Sequence, residues 1–116
     1  MSEDRIQGLF NELRNDNWQV RLEAAKSLGK FGAVSVPALV KALSEDDERQ
    51  VRMEAIESLG KIGSEAREAL SALAKALAEE DKDMRLEITK TLGKLGVDAV
   101  PALIKTLNDV LYIHIR

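Results

Sequence analysis

The feature that most constrains the fold of this chain is an internal repeat of 31 to 33 residues. One pattern, which reads leucine, glycine, lysine, a hydrophobic residue and glycine, occurs at residues 28–32, 59–63 and 92–96. Eight residues before each copy stands a hydrophobic residue followed by an arginine, at 20–21, 51–52 and 84–85. A unit of this length is too short to bury its own hydrophobic residues, so successive copies must stack on one another.

Each repeat is predicted to be a pair of α-helices. Hydrophobic residues recur at helical spacing in both segments of a repeat, as in Val36, Leu39 and Leu43. Pro37 and Pro101 fall in the first turn of first helices, where the absent N–H group costs nothing. The sequence therefore predicts an all-α fold, a single domain that forms a solenoid of about three and a half helix pairs. The domain covers residues 1–116, with repeats at about 3–32, 33–63 and 64–96 and a half repeat at 97–116.

Glycines and polar residues mark the ends of the predicted helices. One set of glycines is expected to end the second helices at a positive φ angle, and another set, one turn inside, to allow close approach of a neighbouring helix. The first set is Gly32, Gly63 and Gly96, and the second is Gly29, Gly60 and Gly93. Asn17, Glu48 and Asp81 precede the second helices and suit their positive N-terminal ends. Asn17 and Asp81 are also predicted to cap the helix with their side chains.

The repeated residues resemble the HEAT-repeat family, in particular the short, glycine-containing repeats of phycobilin lyase subunits (PBS lyase). Asp81, Met84-Arg85 and the pattern at 92–96 carry the resemblance in the third repeat, and the matching positions carry it in the first two. The resemblance covers nearly the whole chain and implies a right-handed α-α superhelix. It does not imply one activity, because the family includes scaffolds, lyase chaperones, nucleic-acid enzymes and hydroxylases.

Composition excludes several kinds of catalysis. The 116 residues contain no cysteine and a single histidine, His114, so neither a thiol nucleophile nor a thiolate metal site can form. The HEAT-repeat hydroxylases hold iron with His-Glu pairs, and no glutamate stands beside His114. The lysines of the Gly-Lys pairs lack the flanking residues of a nucleotide-binding P-loop. The chain is therefore predicted not to be an enzyme and to need no cofactor or metal.

Arg21, Arg52 and Arg85 occupy the same position in the second helices, directly after the first core residue. They could form a row that binds anions, but a ladder of structural contacts is the favoured interpretation and is the one that the resemblance implies. In that ladder each guanidinium bridges the polar residue before a second helix, in its own or a neighbouring repeat. The predicted partners are Asn17, Glu48 and Asp81.

The solvent-facing side of the second helices is the predicted partner-binding groove, because it would line the concave surface of the stack. Its charged residues are Glu23, Lys26, Lys30, Glu54, Glu57, Lys61, Glu87, Lys90 and Lys94. Ser27, Ser58 and Thr91 are assigned to the same side. Charges of both signs are present, which suits a protein partner.

Three further features have two interpretations each. Leu22, Met53 and Leu86 either pack between repeats, which is favoured, or form an apolar strip at the groove edge. Trp18 is either a binding hot spot or a local hydrophobic clasp. The acidic turns at 45–48 and 79–83 are interpreted as solvated helix starts rather than cation sites, because they lack the ligand spacing of a calcium loop.

The half repeat ends in a mostly apolar tail, where the earlier repeats have a charged turn. The tail either covers the open end of the stack, extends the last helix or binds another chain, and we expect it to mediate self-association or docking. The tail residues concerned are Val110, Leu111, Tyr112, Ile113 and Ile115.

The favoured function is a non-catalytic protein-protein interaction scaffold or adaptor. A phycobilin-lyase-like or chaperone subunit is the alternative, and a nucleic-acid-binding module ranks third because the net charge is −3. The first residues show no secretory signal and no apolar stretch approaches the ~20 residues of a membrane span, so a cytoplasmic protein is expected. Its expected partner is another protein, or a second copy bound through the half repeat.

Overall fold

The computed structural model describes residues 2–79 and 81–96, and within them it contains six α-helices and no strand. The helices are α1 (Ser2–Glu12), α2 (Trp18–Leu28), α3 (Val36–Glu45), α4 (Arg49–Ile62), α5 (Leu70–Glu79) and α6 (Lys82–Lys94). Two 3-10 helices, Gly32–Ser35 and Gly63–Ala69, lead into α3 and α5. The predicted all-α solenoid of helix pairs is therefore confirmed. The half repeat, with Pro101 and the apolar tail, lies outside the described residues.

The helices form two layers. The central helix α4 packs against both α2 and α6, so the second helices lie side by side, and α1, α3 and α5 form the other layer. The core fills the space between the layers, where Leu28, Leu39, Ile56, Leu59 and Ile88 are among the largest fully buried side chains. The spacing of hydrophobic residues therefore predicted correctly which side of each helix faces the core between the layers.

Gly63 shows why a glycine ends the second helix. Its φ of 75° and ψ of −136° would strain any residue with a side chain, and its N–H donates to the carbonyl oxygen of Leu59. Gly32 and Gly96 also have positive φ angles, of 71° and 106°. The predicted positive φ is thus confirmed in all three repeats, and it lets the chain leave the second helix in a sharp turn.

A seam of small residues joins the second helices. A Cβ atom at Gly29 would lie 3.0 Å from both Cβ and Oγ of Ser58, and one at Gly60 would lie 3.2 Å from Oγ1 of Thr91. Both helices can approach so closely only because glycine stands at these positions. The predicted close approach is confirmed at these two glycines, whereas no described atom lies within 4 Å of the corresponding point at Gly93. The predicted position one turn inside the helix is wrong for Gly29, because α2 ends at Leu28 and Gly29 is its C-cap.

The prediction that Ser58 and Thr91 face solvent is wrong. Both side chains are buried in the seam, where Ser58 Oγ donates to the carbonyl oxygen of Ala25 at 2.8 Å and Thr91 Oγ1 donates to that of Ile56 at 3.1 Å. A hydroxyl group is small enough to fit over the glycine of the preceding repeat, and the hydrogen bond offsets the cost of burying it. Ser27, the equivalent residue of α2, is half-buried.

The two layers are not packed equally. The second helices are in close contact along the seam, whereas α3 touches α5 much less and α1 barely touches α3. Grooves of about 400 Å³ and 580 Å³ lie between α1 and α3 and between α3 and α5. The layer of second helices is therefore the more closely packed of the two, and we expect the stack to curve with these helices on its inner side.

Candidate functional site

Eight of the nine charged residues of the predicted groove lie on α2, α4 and α6, and Lys30 lies in the turn directly after α2; we call this surface the inner face. Glu54, Glu57 and Glu87 are half-buried, and the other six are exposed. Within the described residues none of the nine forms a salt bridge. The inner face therefore carries charges of both signs that internal ion pairs do not use, and its role in binding stays a prediction.

Glu54 lies among the charges of α2 and α4, and its pKa is raised above the ordinary value of 4.5. Partial burial is the main cause, and the carboxylate of Glu57 adds to it. Lys61 and Lys26 oppose the increase, and Glu23 supports it. Charges of α2 and α4 thus act on one another across the boundary between the first two repeats.

Arg21 is enclosed by acceptors. Its Nε and Nη2 donate to the Asp46 carboxylate at 2.9 Å and 3.2 Å, and Nη2 is also 3.3 Å from Oδ1 of Asp47. Its Nη1 donates to the main-chain oxygens of Asn15 and Asp16. The hydrogen bonds to Asp46 raise the pKa of Arg21. These contacts favour the structural interpretation over an anion-binding one, because the donors of Arg21 are already used.

The predicted partners are wrong for Arg21, which binds Asp46 rather than Asn17 or Glu48. The carboxylate of Asp46 is only 8% exposed and also accepts the main-chain N–H of Glu48 at 3.0 Å. Asp46 therefore closes the turn before α4 and joins two repeats, whereas Glu48 makes no side-chain capping bond. For the same reason, the prediction of a solvated turn at 45–48 is wrong for Asp46.

Arg52 repeats part of the arrangement seen at Arg21. Its Nη1 donates at 2.9 Å to the main-chain oxygen of Asp46, which holds the same place in its turn as Asn15 does in the turn before. Two successive arginines therefore tie a second helix to the turn that precedes it. Arg85 has the equivalent position on α6.

Asp81 links the second and third repeats through Arg49, a residue that was not predicted to belong to the ladder. Arg49 donates to its two carboxylate oxygens at 2.6 Å and 3.0 Å, and Met84 N–H donates to Oδ1 at 2.9 Å. The hydrogen bond from Arg49, and next that from Met84, hold the pKa of Asp81 well below its ordinary value of 3.8. The capping role predicted for Asp81 is confirmed, as is that of Asn17, which accepts the Gln19 N–H at 2.9 Å.

The apolar flank positions differ between repeats. Met53 is partly buried and packs against the core, as the favoured interpretation requires, whereas Leu86 is 57% exposed. Trp18 is half-buried at the start of α2, which leaves both of its interpretations open as predictions. The flank is therefore not one uniform apolar strip along the described repeats.

Two grooves between the first helices were not predicted from the sequence, and they lie on what we call the outer face. Both grooves are lined by small side chains and one lysine at matching positions of successive repeats. These residues are Ala38, Lys41 and Ala42 in the first groove and Ala72, Lys75 and Ala76 in the second. The recurring Ala-Leu-x-Lys-Ala-Leu pattern is the sequence signal for them, because alanine leaves space where a larger side chain would bridge the helices.

Among residues 2–79 and 81–96, no group of three or more potential ligand side chains is placed to hold a metal ion. Over that part of the chain, no helix combines the length and the apolar character required to cross a bilayer.

Comparisons with known proteins agree on the fold. Residues 6–78 match the family model for HEAT repeats, and residues 84–109 match that for the PBS lyase HEAT-like repeat. The crystal structure of an engineered protein has a similar fold, with a TM-score of 0.65 and 24% sequence identity. The similarity covers 91% of this chain and 51% of that one, so this chain spans about half the length of the engineered protein. No curated protein matches the chain.

Proposed function

Because the chain belongs to the HEAT-repeat family, we propose that it is a non-catalytic scaffold or adaptor that binds another protein on its inner face. Stacked helical repeats generally bind their partners on an extended concave surface. The observation that carries the proposal is a contrast between two sets of charges. Arg21 and Arg49 have carboxylate partners within the fold, whereas the nine inner-face charges have none in the described part of the chain.

The balance of charge on the inner face supports a protein rather than a nucleic acid as the partner. Five lysines and four glutamates share this surface. A phosphate backbone that approached the lysines would also approach the glutamates, and the repulsion would offset the attraction. A protein surface can present both signs of charge, and it therefore satisfies both sets of side chains. The proposed site of action is the cytoplasm.

A phycobilin-lyase-like or chaperone subunit is the second candidate, and the match of residues 84–109 to the PBS lyase HEAT-like repeat favours it. The groove of about 580 Å³ between α3 and α5 has the volume of a small-molecule site. This candidate predicts that the purified chain binds a bilin and changes its visible absorption spectrum. A titration that leaves the spectrum unchanged contradicts it.

Paired charge reversals test the scaffold function. Partners are captured on the full-length protein, identified, purified and mixed again with each variant. Lys30→Glu with Lys61→Glu alters the inner face, and Lys41→Glu with Lys75→Glu is the matched control on the outer face, because all four lysines are exposed. We expect the inner-face variant to lose the purified partner and the outer-face variant to keep it. The opposite pattern would move the binding site to the outer grooves.

A further inference from the structure

The charges of the inner face are sorted into rows that run from one repeat to the next. Three residues after the first core residue of each second helix stands a glutamate, and ten residues after it stands a lysine. The glutamate row consists of Glu23, Glu54 and Glu87, and the lysine row consists of Lys30, Lys61 and Lys94.

Contacts near both ends of the second helices keep these rows aligned. At the N-terminal ends, Arg21 of α2 binds Asp46 in the turn before α4, and towards the C-terminal ends Gly29 lies against Ser58. The helices α2 and α4 therefore run in the same direction, with a register offset of two residues at the seam, because Gly29 lies beside Ser58 rather than beside its own equivalent Gly60. Between α4 and α6, Gly60 with Thr91 corresponds to Gly29 with Ser58. Arg49 with Asp81 is a further contact without a counterpart between α2 and α4, because Trp18 stands at the position of Arg49.

Helix geometry sets the distances between the charges. Seven residues separate the two rows, which corresponds to about 10.5 Å along α4 and α6, whereas in the first repeat Lys30 lies two residues beyond the end of α2. Neighbouring members of one row are about 8–10 Å apart, the usual distance between the axes of packed helices. A helix laid across α2, α4 and α6 is about 10–12 Å wide with its side chains, so its two flanks would reach the two rows.

We propose that the inner face recognises a helical segment of a partner protein that carries acidic side chains on one flank and basic side chains on the other. The acidic flank meets the lysine row and the basic flank meets the glutamate row. Within the segment each kind of charge recurs every seven residues or so, because that interval rises by about 10.5 Å, close to the spacing of the second helices. This inference rests on the proposed function of the inner face.

The remaining inner-face charges fit this arrangement. Lys26 and Lys90 lie between the rows and extend the basic side, and Glu57 replaces them in the middle repeat. Glu54 is half-buried, and the carboxylates of Glu57 and Glu23 repel its charge, a repulsion that Lys61 and Lys26 oppose. A basic side chain from a partner placed beside Glu54 would offset that repulsion, which gives the glutamate row its own reason to favour a cation.

Ligands of one charge sign fit the rows less well. Duplex nucleic acid carries about one negative charge per 1.7 Å on its two strands together, so a duplex that reaches the lysine row also places phosphates near the glutamate row. A uniformly acidic peptide would likewise place negative charges near the glutamate row. Like charges placed side by side lower affinity and suppress the wrong partner. Both ligands therefore serve as competitors in the test.

The test uses the full chain and a synthetic helical peptide of about 18 residues, enough to cross three helices. Its alanine-rich sequence carries glutamates on one flank and lysines on the other, and a control peptide has the same composition in scrambled order. Fluorescence anisotropy at low ionic strength measures the affinity. We expect the two-flanked peptide to bind about tenfold more tightly than the scrambled peptide, the uniformly acidic peptide and duplex DNA. Equal affinities, or tighter binding of DNA, would overturn the inference.

A variant with exchanged rows separates recognition of the rows from general electrostatic attraction. It changes Glu23, Glu54 and Glu87 to lysine and Lys30, Lys61 and Lys94 to glutamate, so composition and net charge are unchanged. A helix turned end for end exchanges its flanks. We therefore expect a spin label at the peptide N-terminus to broaden amide signals at one end of the stack in the natural chain and at the other end in the variant. An unchanged position contradicts the inference.

Circular dichroism first establishes that the exchanged variant is helical. The variant with only Lys30→Glu and Lys61→Glu provides a second arm, in which we expect the two-flanked peptide to lose its advantage over the scrambled one. These results are independent of partner capture. If the captured partner depends on Lys30 and Lys61 but no peptide distinguishes the rows, the inference fails and the proposed function stands. If the partner binds the variant with Lys30→Glu and Lys61→Glu as tightly as it binds the natural chain, the proposed function fails.

Discussion

The hydroxyl of Ser58 donates a hydrogen bond of 2.8 Å to the carbonyl oxygen of Ala25, directly above Gly29, and Ser58 and Ala25 are fully buried. The bond joins α2 to α4 where no solvent competes for it. We expect Ser58→Ala to lower the free energy of unfolding by about 1 kcal/mol. Ser27→Ala is the control, because Ser27 holds the equivalent position on α2 and is half-buried. Urea denaturation measures the free energy of unfolding of both variants. Equal losses for Ser58→Ala and Ser27→Ala would contradict a special role for the seam.

Gly29→Ala should destabilise the chain although alanine favours helix. Its Cβ would meet Cβ and Oγ of Ser58 at 3.0 Å, so α2 and α4 would have to move apart at a cost of about 1–3 kcal/mol. Gly8→Ala is the matched control inside α1, where nothing lies within 4 Å of the new atom. There we expect a gain of about 0.5–1 kcal/mol from helix propensity. Thermal unfolding of the two variants should shift in opposite directions.

Asp46→Ala should be much more destabilising than Asp47→Ala. Asp46 is 8% exposed and receives two hydrogen bonds from Arg21, whereas Asp47 is 96% exposed and lies 3.3 Å from the same guanidinium. We expect a loss of about 2 kcal/mol for Asp46, typical of hydrogen bonds to charged groups, and less than about 0.5 kcal/mol for Asp47. Chemical denaturation measures the loss in free energy of unfolding for each variant. Comparable losses would show that the Arg21–Asp46 contact is not the stabilising one.

Asp81→Asn should make stability less dependent on pH in the acid range. The pKa of Asp81 is lowered in the folded chain, so its stabilising contribution is present above the unfolded value near 3.8 and is lost as the pH falls through the folded value. The variant should therefore be less stable than the natural chain at pH 7, with the difference shrinking in acid. Asp16→Asn controls for the loss of one surface carboxylate. A difference that stays constant with pH would contradict the assignment.

Glu54→Gln should have the opposite pH dependence. The pKa of Glu54 is raised in the folded chain, so the stability it contributes is present below the unfolded value near 4.5 and is lost as the pH rises through the folded value. Glutamine keeps the shape and removes the charge, so we expect a higher unfolding midpoint than that of the natural chain at pH 7 and no such advantage in acid. Melting curves across this range test the sign, and a lower midpoint at pH 7 contradicts it.

The repeats made the fold predictable because positions with the same structural role carry the same type of residue in each copy. Leucine, glycine and lysine at 28–32 recur twice, and the three copies together identify helix ends, close approaches and buried sides without any tertiary information. Positive φ at Gly63 and the contact of Gly29 with Ser58 follow the prediction directly. Local rules were sufficient at these positions because helix geometry alone determines what the residue must do.

The errors arose where a residue's surroundings depend on the next repeat. The helical spacing places Ser58 on the side of α4 that faces away from the first helices, but only the position of α2 decides that this side is covered. Asp46 was missed for a related reason, because the turn brings its carboxylate back to the Glu48 N–H and beneath Arg21. The grooves beside Lys41 and Lys75 depend on the separation of the first helices, which a single repeat cannot show.

The unequal packing of the two layers gives the stack one soft direction of bending. Opening the seam would break the buried bond of Ser58 and separate it from Gly29, whereas bringing α3 and α5 together only closes an unfilled groove. We therefore expect the seam to be the axis about which the stack bends, with the grooves providing the space that this movement requires. Closing them reduces the curvature and spreads the inner face, so we expect the solenoid to straighten around a long partner more readily than it tightens around a narrow one.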